Sequence, residues 1–246
     1  TRYVITDIEM TTGKFWAMAT WYNSTEKQDP YQPVYFIPDD PANPVSYNPV
    51  TVYTDKYYLT TIARLHNFDG SLTTAGEVYY IEYTTKMGDG SYPIVTKAAL
   101  MNAEQAKAAA AAFNSQAQPG TGAAVVGPVM IQPTTDIPAL RHYRLVHESP
   151  TNVFSQASPD VKYVKVFEYV PGARIRGEGV IELPVVSNTG RSFVYRQASV
   201  NGEFVVPYST EGNPYDVRAT GKYRITGTGR EFSVSEDAVI RGLQIN

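Results

Sequence analysis

From about residue 139 onward the chain reads as one strand after another. "LRHYRLVHE", "VKYVKVFEYV", "ARIRGEGVIELPVV", "RSFVYRQASV", "GEFVVPYST" and "KYRITGTG" follow in turn, separated by Gly, Pro, Asn and Ser. Short strands at this spacing, broken by turn residues, predict an all-β sandwich or barrel-like domain. Composition points the same way. Nineteen Tyr, 18 Gly and 17 Pro in 246 residues favour pleated surface and turns over a helical bundle. A chain of that length has room for one or two domains with a real core.

The first half is mixed. "YVIT" near Thr1 reads as a strand already under way, so the chain is expected to be an excised piece of something longer. Thr11 or Thr12 can cap a helix over 13–22, where Phe15, Met18, Ala19 and Tyr22 recur at three- and four-residue steps. Six prolines then forbid helix in "DPYQPVYFIPDDPANPVSYNP", leaving at most the strand "VYFI". A second helix, "DKYYLTTIARLHNF", starts near Thr54 or Asp55 and is closed by Gly70, with Tyr58, Ile62 and Leu65 facing inward. "EVYYIEYT" at 77–84 is a strand. A third helix begins at Asn102, with Gln105 completing a capping box, and "PGTGAAVVGP" ends it as a linker. The expected fold class is therefore α+β. Residues 1–154 form a partly helical core with a β-containing insertion over about 71–150. Residues 155–246 form a peripheral all-β domain, set off by the Ser-, Pro- and Asn-rich "SPTNVFSQASPD".

Several chemistries are excluded or unsupported. A formal net charge of −3 gives no basic footprint, so no nucleic-acid partner is expected. The absence of cysteine removes disulfides, thiol nucleophiles and thiolate zinc sites. No apolar run approaches the length of a membrane-spanning helix. His66, His142 and His147 are scattered; the last two lie five apart on one expected strand and would face opposite ways. Each reads as a structural histidine. "GDGS" and "GTG" are turn chemistry, and "SVSEDAVIRG" resembles a capped turn more than a carboxylate pair. No hydrolase elbow, phosphate loop or zinc-protease motif occurs. Read as a self-contained enzyme, the chain lacks parts.

One stretch needs a reason of its own: "TTGKFWAMATWYNST" places Lys14 in an apolar and aromatic run. Positions 11, 14 and 18 follow i, i+3, i+7 and share one helical face. A lysine there either snorkels from a surface or touches something outside this chain.

"RYVITDIEMTTGKFWAMATW", "YYLTTIARLHNFDGS", and "LVHESP" followed by "VKVFEYVPGARIRG" resemble, in that order, three blocks of the archaeal oligosaccharyltransferase catalytic subunit, the AglB family. The resemblance implies the globular region outside the membrane: a central core with a β-rich insertion, then a peripheral β-domain. It also implies that Lys14 and Met18 fit a short helix motif bordering the pocket that reads the Ser/Thr of an N-x-S/T sequon. Thr11 stands where the family has Asp; either Asp7 or Glu9 compensates electrostatically, or the Asp is not needed. The family's W-W-D-Y-G signature is missing, since Trp16 and Trp21 are not adjacent and neither precedes Asp. No catalytic residue and no cofactor is thus expected in this piece, and a divalent metal (Mn or Mg) belongs to the membrane part. The implied partners are the chain's own N-terminal transmembrane domain, an acceptor polypeptide and a lipid-linked oligosaccharide donor. The implied setting is the extracytoplasmic face of the membrane, with a monomeric chain. The contrasting reading is a non-catalytic extracellular adhesin-like or carbohydrate-binding β-module, using tyrosines as stacking platforms. Asn23-Ser24-Thr25 is itself a sequon, either a glycosylation acceptor or a plain surface loop. Arg64 and His66 either face the first helix or form a buried ion pair or cap.

Overall fold

A computed structural model describes residues 2–18, 30–36, 50–85, 93–127, 129–154 and 160–245. The chain forms two compact units, one of Thr1–Ala17, Thr61–Thr73 and Ile137–Asn246, the other of Met18–Thr60 and Thr74–Asp136. Strand outweighs helix, in several sheets, and no sheet among the described residues closes on itself. The barrel-like alternative is therefore replaced by open sheets.

In the first unit, β1 (Tyr3–Asp7) pairs antiparallel with β8 (Val164–Tyr169), and β8 with β7 (Tyr143–Glu148). The segment expected to separate two domains thus lies between two paired strands of one sheet, and residues 155–159 of it are outside the described residues. The run "ARIRGEGVIELPVV" is two strands, β9 (Ala173–Arg176) and β10 (Val180–Val186), in different sheets. Gly177 makes that break possible, because a Cβ there would lie 2.7 Å from Ile225 Cδ1 and 3.1 Å from Phe204. β9 sits between β12 (Glu203–Val206) and β16 (Gln244–Ile245). β10 pairs with β11 (Ser192–Ala198) on one side and with β13 (Arg218–Ala219) and β14 (Tyr223–Ile225) on the other; β15 (Glu231–Phe232) follows β14. Pro184 is tolerated in this central strand because it falls between the β13 and β14 pairings, where no ladder donor is needed. Alternation along β10 buries Ile181, Leu183 and Val185, which pack with Phe167, Phe204 and Val206 in one apolar core. The "SVSEDAVIRG" turn is a short helix, α5 (Glu236–Arg241), capped by Ser235 and closed by Gly242 at φ 68°.

In the second unit the sheet order is β3 (Val50–Tyr53), β2 (Tyr31–Phe36), β5 (Ile94–Asn102), β4 (Glu77–Thr84), β6 (Thr121–Val126). One of these strands replaces another expectation, and a second was not anticipated. "PGTGAAVVGP" is not a linker, since β6 within it pairs along β4. The strand β5 contains Lys, Ala, Leu and Met, a helix-forming mixture that pairing with β4 overrides. The alanine helix α4 (Ala103–Asn114) forms as expected, with the Asn102 side chain accepting from the Glu104 N–H. It lays Ala103, Ala106 and Ala110 on Val78 and Tyr80, while Ile81 turns to the opposite face with Val34, Val95 and Val126.

The expected helix over 55–68 is two pieces, α2 (Asp55–Tyr58) and α3 (Thr61–His66), which belong to different units. Thr60 breaks it by donating its hydroxyl to the Tyr57 carbonyl at 2.7 Å, the local bond by which hydroxyl residues compete with helix. Tyr53, Tyr57, Tyr58, Tyr80, Tyr195, Tyr208 and Tyr223 are buried and so withdrawn from any stacking surface, while Tyr3, Tyr79, Tyr163 and Tyr169 are exposed.

Candidate functional site: the lysine helix and the charged interior beneath it

Residues 8–10 form a 3-10 turn whose N-cap is Asp7; its carboxylate accepts from the Met10 N–H at 2.9 Å. Residues 13–18 are then helical and are called α1. Residues 19–22 of the expected helix, and Asn23 with its sequon, lie outside the described residues. Lys14 is the second residue of α1, 57% exposed, and its ammonium donates to Asp7 Oδ2 at 2.8 Å. That bond, with the Met10 N–H, holds the Asp7 carboxyl below the usual carboxylate range against the effect of burial.

Thr11 does not stand beside Lys14 as a partner. It is buried, and its hydroxyl donates to the Ile8 carbonyl at 2.8 Å. Asp7 supplies the negative charge instead. Glu9 lies elsewhere, its carboxylate over Gly13, where a Cβ would come within 2.8 Å. Trp16 is 37% and Met18 71% exposed. Met18 is therefore no core residue.

The other candidates are structural. Arg64 donates to the carbonyls of Pro138 and Ala139, anchoring α3 to the segment that enters β7. His142 lies in the turn before β7, with Nδ1 at 3.1–3.2 Å from the carbonyls of Val170 and Pro171, while His147 is exposed on β7. The two are not on one strand. His66 is fully buried: Nδ1 meets Thr6 Oγ1 at 2.9 Å and Nε2 has no hydrogen-bond partner. Burial, reinforced by Lys165, pushes its pKa down to about 4.

Lys165 belongs to a charge cluster that sequence reading did not single out. Its ammonium donates at 2.7 Å both to Asp69 Oδ1 and to the His66 carbonyl. Arg191 grips Asp69 Oδ2 at 2.7 Å and Glu148 Oε2 at 2.6 Å, and Ser187 and Thr189 donate to Glu148 Oε1. Burial would raise Asp69, but Lys165 and Arg191 hold it well below the usual carboxylate range; Arg191 does the same for Glu148. Two cations thus balance two anions, every one of them bonded. A second knot joins Arg144 to Glu168 at 2.7 Å and to Glu236 at 2.6 Å. The available signal was the strand pattern: Lys165 and Phe167 occupy alternate positions of β8, so an inward Phe167 implies an inward lysine in need of a carboxylate. No group of three His, Cys, Asp or Glu suited to a metal occurs among the described residues.

Residues 172–245 match the family model of the archaeal glycosylation protein B long peripheral domain. The chain is 28% identical to dolichyl-phosphooligosaccharide-protein glycotransferase 3 of Archaeoglobus fulgidus, over 98% of the chain and 30% of that protein. It is 27% identical to dolichyl-monophosphooligosaccharide-protein glycotransferase AglB of Haloferax volcanii, over 97% of the chain and 27% of that protein. Among solved structures, the oligosaccharyltransferase of Archaeoglobus fulgidus in the apo form matches with a TM-score of 0.52 at 25% identity, covering 100% of this chain and 30% of that one. Archaeal AglB from the same organism, in complex with an inhibitory peptide and a dolichol-phosphate, matches with a TM-score of 0.52 at 22% identity. The residues matched by that family model, 172–245, all fall within the β-rich first unit. The chain is thus similar to archaeal oligosaccharyltransferases of the AglB type, and it spans about 30% of the length of the curated relatives it matches.

Proposed function

We propose that this chain is the globular region of an oligosaccharyltransferase that moves a lipid-linked oligosaccharide onto the Asn of N-x-S/T sequons. Its own part is to position the acceptor polypeptide. The observation that supports this reading most directly is Lys14: an exposed ammonium at the start of a short helix, steadied by Asp7 rather than neutralised by burial. A cation so held can donate a charge-assisted hydrogen bond to a sequon hydroxyl, and exposed Met18 offers it a flexible apolar flank. Orienting a peptide in this way is worth several kcal/mol of barrier in well-placed intramolecular reactions. The Archaeoglobus fulgidus relative bound to an inhibitory peptide and a dolichol-phosphate supports the choice of peptide and lipid-linked donor as partners.

In this reading the catalytic carboxylates and their divalent metal belong to the chain's own membrane domain, on the extracytoplasmic face. The peripheral all-β domain follows a core with a β-rich insertion, and the chain acts as a monomer. The test uses the whole enzyme. Lys14→Ala should raise the KM for an N-x-T peptide by one to two decades, as loss of a bond worth roughly 1.5–3 kcal/mol requires. Lys14→Arg should recover part of it. An unchanged KM with a lowered melting temperature would make the lysine structural.

A further inference from the structure

Arg141 and Arg176 line an open depression of about 470 Å³, together with Val200, Asn201, Gly202 and Glu203. Arg176 faces outward because β9 alternates, burying Ala173 and Ile175 and leaving Arg174 and Arg176 exposed. Glu203 is its register partner across β12, yet the Glu203 carboxylate bonds to Arg174 at 3.1 Å instead. Arg176 is left without an acid. Arg141, in the turn before β7, is also without one; among the described residues neither side chain makes an ion pair or hydrogen bond.

The opposite rim is a fixed turn. Asn201 and Gly202 take φ 55° and 74°, the paired positive values of a two-residue hairpin, closed by the Val200–Glu203 bridge. The Gly202 carbonyl accepts from the Gly177 N–H at 3.0 Å, tying this rim to the end of β9. One rim of the depression is thereby pre-organised, and both arginines line it without an acid partner.

We propose that this depression binds a sugar bearing an anionic group, a carboxylate or a phosphate. The guanidinium fork fits either oxyanion in a bidentate way. The volume falls within the roughly 300–1,000 Å³ of small-molecule sites and exceeds what a bare ion needs. Asn201 adds an amide for hydroxyl groups, and the half-exposed Val200 adds an apolar contact for a ring. The anion follows from the two unpaired arginines, whereas the sugar as its carrier rests on the glycosyl-transfer reading above.

Isothermal titration and NMR shifts on the 246-residue chain, at low ionic strength, test this with glucuronate, glucose 6-phosphate, glucose and sodium sulfate. Glucuronate or glucose 6-phosphate should bind with a Kd on the order of 1 mM, a modest affinity suited to one exposed bidentate site. The glucuronate and phosphate arms separate the two sources of charge, and neutral glucose should give no saturable shift. Arg141→Gln and Arg176→Gln should each weaken binding several-fold, and the double variant by tenfold or more, with melting temperatures unchanged because both side chains are unpaired. Equal binding by the wild type and the double variant would overturn the site, as would binding of glucose as strong as that of its acidic counterparts. Sulfate binding as tightly as either sugar would overturn the carrier. If Lys14→Ala left peptide KM unchanged while the arginine site held, only the choice of carrier would lose its basis.

Discussion

Lys14 Nζ and Asp7 Oδ2 meet at 2.8 Å across seven residues of chain, spanning the 3-10 turn that connects β1 to the lysine helix. The pair is partly exposed, so its worth lies in direction more than in energy. Asp7 has two duties, and substitutions separate them. Asp7→Asn keeps the cap on Met10 and loses the ion pair, which should cost no more than about 1 kcal/mol. Asp7→Ala loses both and should cost about 1 kcal/mol more, a typical N-cap loss. Urea denaturation of the two variants checks the order. On the proposed acceptor-positioning function, Asp7→Asn in the full-length protein should raise peptide KM several-fold, because an unsteadied ammonium samples more rotamers.

Met18→Ala should behave unlike a core deletion. At 71% exposure the side chain has little packing to lose, so unfolding should change by less than about 0.5 kcal/mol. A loss on the 2–5 kcal/mol scale of buried methionine would mean that Met18 is covered.

The Asp69–Lys165–Arg191–Glu148 cluster makes an asymmetric prediction. Arg191 serves both carboxylates, whereas Lys165 serves only Asp69 and a carbonyl. Arg191→Met strands Glu148 with only its hydroxyl partners and should cost about 3–5 kcal/mol. Lys165→Met leaves Asp69 still gripped by Arg191 and should cost less. Chemical denaturation of both, under the same buffer, ranks them; the reverse ranking would show Lys165 to be the keystone.

What the sequence made legible depended on how local the cause was. Strands β7 to β12 and β14 followed from alternation and turn residues, and helix α4 from its alanines and Asn102. The break between β9 and β10 did not, because Gly177 is required by the distant Phe204 and Ile225. β5 was hidden because "IVTKAALMN" carries helix-forming residues and becomes a strand only by pairing with β4. At the site, Lys14 was legible as a charge that a greasy helix does not explain. Its partner was one of two candidates until the 3-10 turn chose Asp7 over Glu9. The buried cluster joins residues from Asp69 to Arg191, a separation no local pattern encodes.

Residues 155–246 expressed alone should fold poorly. Strand β8 would lose β1 on one edge and β7 on the other, exposing both ladders, and Phe167 would lose its neighbours Leu65 and Leu145 in the core. Lys165 would lose Asp69. Circular dichroism melting of this segment should be broad and low in midpoint against the 246-residue chain. A sharp transition at the same temperature would show the segment to be autonomous and its boundary at 155 to be real.

His66 makes stability depend on pH because burial separates its folded from its unfolded affinity for a proton. Its folded pKa is about 4 against an ordinary value near 6.5, so folding favours the neutral ring. The stability is fully present above about 6.5, is lost as pH falls, and is gone once pH passes below about 4. The sign follows from protons: between those limits the unfolded chain binds one more than the folded chain. The groups facing the ring are Lys165, Asp69 and Asp7; both carboxyls are held below their ordinary values, so neither gains its proton early in that window. The loss from pH 7 to pH 4 should be about 3 kcal/mol from this residue. His66→Asn can keep the contact to Thr6 and removes the titrating ring. Urea midpoints of the parent chain should therefore fall between pH 6.5 and 4.5, while those of His66→Asn stay nearly level over the same interval. Parallel curves for the two proteins would place the pH dependence elsewhere and leave the ring protonated in the folded chain.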